Sequence, residues 1–310
     1  MKIAVLGAGA MGSLFGGLLA GQNHAVTLID INEAHLSAIR ERGLELEMDS
    51  GRQIVANLSV ARPEEVESVP DLLIVFTKSL HTRAALASIG RAIGANTTVL
   101  TLQNGLGNVE RVGELVPLQQ ILIGVTTWPA DLLGPGRVGS HGSGKIRLMS
   151  ADGIDRPAVT AVAEALDAAG LHCSVDPQVW SAVWEKVAFN AALNSLCAVT
   201  GCSVGQLSAV PGGPTLAATI VREVLAVATA KGIQTDVDAC LANVNQAIAQ
   251  HAGHKPSMLQ DILAGRRTEV EDINGAVVLA AREMNIPVAH TETLLELVRL
   301  VEARSIGKSD

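Results

Sequence analysis

In the segment WEKVAFNAALNSLCAV, Lys186, Asn190 and Asn194 recur at every fourth position. On an α-helix that spacing sets one ammonium and two amides in a single stripe along one face. Their neighbours Val187, Ala188, Ala191, Leu193, Leu196 and Val199 are apolar, which predicts a mostly buried helix. Burying polar groups without partners is costly, so the three must face each other, water or a ligand. Such a stripe either closes on itself as a structural network or offers donors, one of them able to release a proton, to a bound molecule. Farther on, Thr268-Glu-Val-Glu271 reads as a capping box, which places Glu269 in the first turn of the following helix. A carboxylate there either compensates the helix dipole or serves a site.

A second constellation, Gly7-Ala-Gly9-Ala-Met-Gly12, is built from missing side chains. G-x-G-x-x-G is weak evidence alone. Here it follows the apolar run Lys2 to Leu6 and precedes the helical SLFGGLLAG, and a second strand, Ala25 to Ile29, ends in Asp30. That context makes it a dinucleotide fingerprint. Gly7 permits the turn, Gly9 lets a pyrophosphate approach bare backbone, and Gly12 lets the helix pack on the strand. Backbone N–H groups of Ala10, Met11 and Gly12 at the helix start would face the phosphates. Asp30 can accept hydrogen bonds from both ribose hydroxyls and repels a 2′-phosphate. Arg40 and Arg42 lie in the next helix and turn, out of the usual phosphate position, so NADH is favoured over NADPH.

The elements that must position these groups alternate through the first half. Asp71 to Thr77 reads as a buried strand ending in Lys78, Ala84 to Ile93 as a helix, and Thr98 to Leu102 as a strand ending in Gln103-Asn104-Gly105. Polar residues at the carboxyl ends of parallel strands line a ligand crevice, so Lys78 and Asn104 are expected there. Lys78 reads equally well as a solvated lysine. Gly-interrupted strands from Ile121 to Met149 predict an antiparallel extension, and helix Ala158 to Gly170 with strand HCSV closes the half near Pro177. Beyond Pro177 strand signals vanish, and helices are predicted over Trp180–Val199, Leu216–Lys231, Val237–Gln250, Ser257–Ala264, Thr268–Met284 and Thr291–Ala303. The expected fold class is α/β: a Rossmann-type doubly wound dinucleotide-binding domain over residues 1–177, followed by an all-α domain over 178–310.

Composition narrows the chemistry. The 310 residues suffice for two domains with real cores, and 48% hydrophobic against 17% charged excludes a disordered chain. Three Phe, three Trp, no Tyr and a net charge of −8 argue against nucleic acid as a partner. The absence of Tyr also removes any mechanism with a phenol as proton donor. Residues Met1 to Gly21 carry too many glycines for a signal peptide, and the most apolar later run holds Arg222 and Glu223, so no membrane span is expected. Cys173, Cys197, Cys202 and Cys240 show no C-x-x-C spacing and are expected to be reduced core thiols of a cytoplasmic protein. His251 and His254 lack a nearby third ligand and read as a helix-end or loop pair, so no metal site is expected.

Four segments, in this order and spacing, resemble the ketopantoate reductase (2-dehydropantoate 2-reductase) family: GAGAMG, TLQNGLGN, the Lys186/Asn190/Asn194 stripe, and SMLQDILAGRRTEVEDINGAV from Ser257. The resemblance covers essentially the whole chain. It implies a Rossmann-type domain followed by a helical one, with the active site in the cleft between them. It implies further that Lys186 gives a proton to the keto oxygen of a 2-keto acid while hydride comes from NAD(P)H. Asn190 and Asn194 would bind substrate hydroxyl and carboxylate groups, and Ser257 the substrate carboxylate. Glu269 would hold the nicotinamide end and the lysine, Asn104 would lie near nicotinamide and substrate, and Lys78 would contact the cofactor. The implied pathway is pantothenate biosynthesis. Independently of the resemblance, the helical half is apolar enough to leave a face for a homodimer.

Two departures stand out. NADPH-using members usually carry an Arg where this chain has Asp30-Ile31, which again favours NADH. Before Ser257 the chain reads His254-Lys255-Pro256, where pantothenate enzymes place an Asn and further Ser, so one pocket wall differs and other 2-keto acids are candidate substrates. A non-catalytic dinucleotide sensor would explain the Gly-rich turn but not the lysine stripe. A β-hydroxyacid dehydrogenase would have a Gly-rich approach to its lysine, absent from SAVWEKVAFN.

Overall fold

The computed structural model describes residues 1–250 and 253–307; His251 of the HAGH pair lies outside the described residues. The chain forms two compact units, the first from residues 1–103 and 108–179, the second from residues 104–107 and from 180 onward.

The first unit holds the strands β1 (Lys2–Leu6), β2 (Ala25–Ile29), β3 (Leu44–Met48), β4 (Gly51–Val55), β5 (Ser59–Ala61) and β6 (Leu72–Val75). They continue as β7 (Thr98–Thr101), β8 (Ile121–Thr126), β9 (Asp131–Gly134), β10 (Arg137–Ser140), β11 (Ile146–Ser150) and β12 (Cys173–Val175). Its helices are α1 (Ala10–Ala20), α2 (Glu33–Arg42), α3 (Thr82–Ser88), α4 (Asn108–Gly113) and α5 (Pro157–Leu166). Eight strands form the main sheet in the order β12-β11-β8-β7-β6-β1-β2-β5. Its centre is parallel and its short apolar runs are buried along their length, as expected where both faces of a parallel sheet are covered. Strand order reverses between β1 and β6, the place where doubly wound sheets bind ligands. Leu6 pairs with both Ile29 and Val75, and Val75 with Thr101, so the carboxyl ends of these four strands lie level.

The expected antiparallel extension is only half right. β8 and β11 do pair antiparallel in the main sheet, but β9 and β10 belong to a separate four-stranded sheet in the order β4-β3-β10-β9. The missing partner is β3, whose LELEM alternates buried Leu44 and Leu46 with outward Glu45 and Glu47. Sequence reading assigns that segment no element, although its period of two is a strand signal. Gly17 of α1 packs on this sheet: a Cβ there would stand 2.8 Å from the Leu46 side chain.

The second unit is helical: α6 (Val179–Thr200), α7 (Val204–Ser208), α8 (Gly212–Ala230), α9 (Val237–Gln250), α10 (Ser257–Leu263), α11 (Ala276–Glu283) and α12 (Ala289–Ile306). By length and composition α8 could cross a membrane, yet Ile220, Val221, Val224, Leu225 and Ala228 on it are buried in the unit. Its Glu223 accepts hydrogen bonds from the backbone N–H and hydroxyl of Thr291, both at 2.8 Å, tying it to α12. Of the four unpaired cysteines only Cys197 and Cys240 are buried; Cys173 and Cys202 are half-buried, a departure from the expected core thiols. Burial pushes Cys197 up to about 12 and Cys240 up to about 11, which keeps both as unreactive thiols.

Candidate active site

The glycine loop joins β1 to α1, and its three glycines differ in what they do. Gly7 has φ +98°, and a Cβ on it would lie 2.6 Å from the backbone nitrogen of Thr77 at the end of β6. A Cβ on Gly12 would lie 1.9 Å from the carbonyl oxygen of Gly7. Both glycines are therefore required by the fold itself. Gly9, exposed and the N-cap of α1, is not: its φ is −66° and a Cβ would meet nothing within 4 Å. Neither packing nor conformation asks for glycine there, whereas a phosphate group approaching the backbone would. Half-buried Ala10 and Met11 with Gly12 form the first turn of α1, whose N–H groups have no acceptor within the helix. These residues fit a dinucleotide pyrophosphate.

Asp30 stands at the carboxyl end of β2. One carboxylate oxygen accepts the Ala8 N–H at 2.7 Å and the other the Asn32 N–H at 2.9 Å, so the side chain is fixed beside the loop with lone pairs left for hydroxyl donors. The arginines nearby are already engaged. Arg40 pairs with Glu33 at 2.7 Å, and Arg62, which sequence reading overlooks, donates to Glu64 at 2.7 Å and to the Ile31 carbonyl at 3.3 Å. These two arginines are paired among Glu33, Glu64 and Glu65, so that linked cluster carries more acids than bases. Half-buried Lys78 follows β6 on the same strand-end row, and the Gln103 amide donates to Thr82 Oγ1 at 2.8 Å, bracing the end of β7 against the start of α3.

The lysine stripe lies in the second unit. Lys186 is half-buried, and Asn190 and Asn194 are each 7% exposed, on the predicted face of α6. Burial pushes the Lys186 ammonium down to about 8, and the charge of Glu269 opposes that fall. Glu269 Oε2 in turn accepts a hydrogen bond from Asn104 Nδ2 at 3.2 Å. Lys186, Glu269 and Asn104 thus act on one another although 165 residues separate the last two in sequence. Gly105 makes this possible. Its φ is +84°, a Cβ would lie 2.4 Å from the Asp272 carbonyl oxygen, and the Leu106 N–H donates to that carbonyl at 2.8 Å. That close approach carries residues 104–107 out of the first unit.

The predicted capping box is not formed. Thr268 Oγ1 does accept the Val270 N–H, at 3.3 Å, but Glu271 turns to Arg299 at 2.6 Å instead of reaching back. The Thr268 N–H and hydroxyl both go to Glu302 at 2.7 Å. The Glu269 carbonyl accepts the Ile273 N–H at 3.1 Å, and a wide π-helical turn, Glu271–Gly275, leads into α11, so Glu269 precedes the first turn instead of lying in it. Ser257, at the first position of α10, is exposed.

A buried set that sequence reading misses holds α6 in place. Ser195 Oγ donates to Asn274 Oδ1 at 2.7 Å, and Asn274 Nδ2 to the Ala191 carbonyl at 3.3 Å, with both side chains fully buried. The signal available was an asparagine and a serine inside apolar helical runs.

Known proteins resemble the chain along its length. Residues 3–153 match the family described as Ketopantoate reductase PanE/ApbA, and residues 178–302 match Ketopantoate reductase PanE/ApbA C terminal. A 2-dehydropantoate 2-reductase of Halobacterium salinarum is 37% identical over 302 residues, 97% of this chain and 99% of that protein. One from Streptococcus pyogenes serotype M1 is 35% identical over 304 residues, 98% of each chain. Among solved structures, D-mandelate dehydrogenase in its ternary structure with NADH and anilino(oxo)acetate has a TM-score of 0.93 at 32% identity, over 98% of this chain and 99% of that one.

Proposed function

The chain belongs to the ketopantoate reductase family, and from that membership we propose how its own residues reduce a 2-keto acid with NAD(P)H. Residues 1–177 are read as the dinucleotide-binding domain and 178–310 as the helical substrate and catalytic domain. Gly7, Gly9, Ala10, Met11 and Gly12 hold the pyrophosphate, Asp30 the adenosine ribose, and Lys78 a further part of the cofactor. When bound, the dinucleotide supplies the hydride.

Lys186 supplies the proton. The observation that carries this reading is an ammonium brought down to about 8 on a stripe with two buried amides. At pH 7 roughly nine in ten such lysines are protonated, yet the proton is far easier to release than from a free lysine. The ammonium also stabilises negative charge growing on the keto oxygen before transfer. Glu269 keeps Lys186 charged in spite of burial and, through its bond to Asn104, fixes that amide beside the reacting groups. Asn190, Asn194 and Ser257 hold the carboxylate and neighbouring hydroxyls of the substrate.

The substrate reading that the reductase relatives support is 2-dehydropantoate, with a place in pantothenate biosynthesis. A second reading, the keto acid corresponding to mandelate, rests on the D-mandelate dehydrogenase likeness. NADH is the preferred donor in either case, supported by Asp30, by the engaged arginines and by the NADH present in that neighbour. Assembly as a homodimer belongs to the same proposal, supported by the exposed Leu297 and Leu300 on α12. Following absorbance at the nicotinamide band with a panel of 2-keto acids and each cofactor tests the whole reading. Turnover of one or more keto acids with NADH ahead of NADPH is expected; turnover of none overturns it.

A further inference from the structure

We propose that His35 is a positioning residue for the dinucleotide loop, holding Ala8 in place through Ser13. The inference rests on the cofactor reading of Gly7 to Gly12. His35 sits in the first turns of α2 and is 2% exposed, an unusual depth for an imidazole that touches no substrate. Its surroundings fix its protons. Nδ1 accepts the Gly136 N–H at 3.0 Å, from the turn between β9 and β10. Nε2 lies 3.0 Å from Ser13 Oγ, and that hydroxyl has already given its one proton to the Ala8 carbonyl at 2.9 Å. Nε2 must therefore carry the hydrogen and donate it to Ser13, which makes His35 the neutral Nε2–H tautomer. Burial favours that neutral form.

The consequence falls on Ala8, the residue between the first two fingerprint glycines. Its carbonyl is held by Ser13 and its N–H by Asp30 at 2.7 Å, so both its backbone groups are clamped by side chains. In a trans peptide the carbonyl and the next N–H point in opposite directions. Holding the Ala8 carbonyl inward toward Ser13 therefore turns the Gly9 N–H outward, to the side where the space over Gly9 is open. His35 is the far anchor of this clamp. It is fixed to α2 by its own N–H, which donates to Asn32 Oδ1 at 3.2 Å, and to the second sheet by the β9–β10 turn. The turn is seated on α2: a Cβ on Gly136 would lie 3.0 Å from the Ala38 Cβ. The separate sheet thus acts on cofactor binding through one imidazole.

Two amides divide the two functions of the ring. Gln places its nitrogen where Nε2 stands and keeps the donation to Ser13; Asn places its oxygen where Nδ1 stands and keeps only the bond to Gly136. Full-length His35→Gln, His35→Asn and Ser13→Ala are compared with wild type for NADH and NADPH dissociation constants, kcat at saturating cofactor, and Tm. His35→Asn and Ser13→Ala are expected to weaken dinucleotide binding about tenfold, with kcat held within about twofold. His35→Gln is expected to recover most of that binding even where its Tm falls as far as that of His35→Asn. Equal weakening by Gln and Asn, in step with their Tm, overturns the proposal in favour of a purely structural histidine. Unchanged binding in Ser13→Ala, a substitution that suits a helix, overturns it independently. A wild type that binds neither dinucleotide overturns the cofactor reading and this inference with it.

Discussion

The glycine loop and the lysine stripe meet opposite demands. At Gly7 to Gly12 the groups proposed to work are backbone N–H bonds, and the glycines leave room for a ligand and a neighbouring strand to come close. On α6 the backbone is consumed in the helix, and the groups proposed to work are an ammonium and two amides that burial makes expensive. A backbone site is stable without its ligand, because each N–H is satisfied by water or by a phosphate. A side-chain site must instead be held against its own desolvation, here by Glu269 acting on Lys186 and by Ser195 and Asn274 pinning the helix. The two should therefore fail differently: the loop in cofactor affinity, the stripe in turnover.

Lys186→Ala is the largest test of that contrast. On the proposed mechanism its loss removes the proton donor and a stabiliser of the oxyanion, and should lower kcat by about 10²–10⁴-fold. Cofactor affinity, measured by titration, should stay within about threefold, since the loop is a separate device. A parallel loss of both would dissolve the distinction. Gly9→Ala sharpens the other half. With nothing within 4 Å of the new Cβ, Tm should fall only by the small cost of Ala at an N-cap, while the KM for NADH should rise about tenfold or more as the methyl group meets the proposed pyrophosphate position. A large fall in Tm with KM unchanged would make Gly9 a structural glycine like Gly7 and Gly12. Next in size is Asp30→Asn, which removes the charge but keeps the acceptor for the Ala8 N–H. The ratio of kcat/KM for NADH over NADPH should drop by about three- to tenfold; a wild type that already prefers NADPH refutes the reading.

The same contrast separates what is legible in the sequence from what is not. The loop was legible because a fingerprint of missing side chains lies within one βαβ unit, with Asp30 close behind. The stripe was legible because Lys186, Asn190 and Asn194 share one helix and one apolar setting. What could not be read depends on partners far away in the chain. Asn104 was expected at a strand end, but its bond to Glu269 spans 165 residues, and the φ of Gly105 that allows it leaves no mark beyond a glycine. Thr268 was assigned a local cap because Glu271 stands three residues on. The stronger acceptor, Glu302, comes 34 residues later and wins because it takes both the N–H and the hydroxyl. The second sheet was missed for a related reason: β3 finds its parallel partner β10 only after the main sheet is nearly complete.

The smallest effect tests the electrostatics of the stripe itself. On the proposed mechanism Lys186 must be protonated to give its proton, so the rate of keto-acid reduction should fall as pH rises through about 8, and the reverse oxidation should rise over the same range. Two causes set that midpoint in opposite directions, burial lowering it and the Glu269 charge raising it. Glu269→Gln removes the second and leaves the first, so the midpoint should move to lower pH, by about one unit or less. The amide can still accept a hydrogen bond from Asn104, so kcat on the acid side of the profile should change less than the midpoint does. A midpoint that stays near 8 would mean that desolvation alone sets the lysine. One that moves upward would mean that the carboxylate had been withdrawing the proton, and the stripe would then need a different acid.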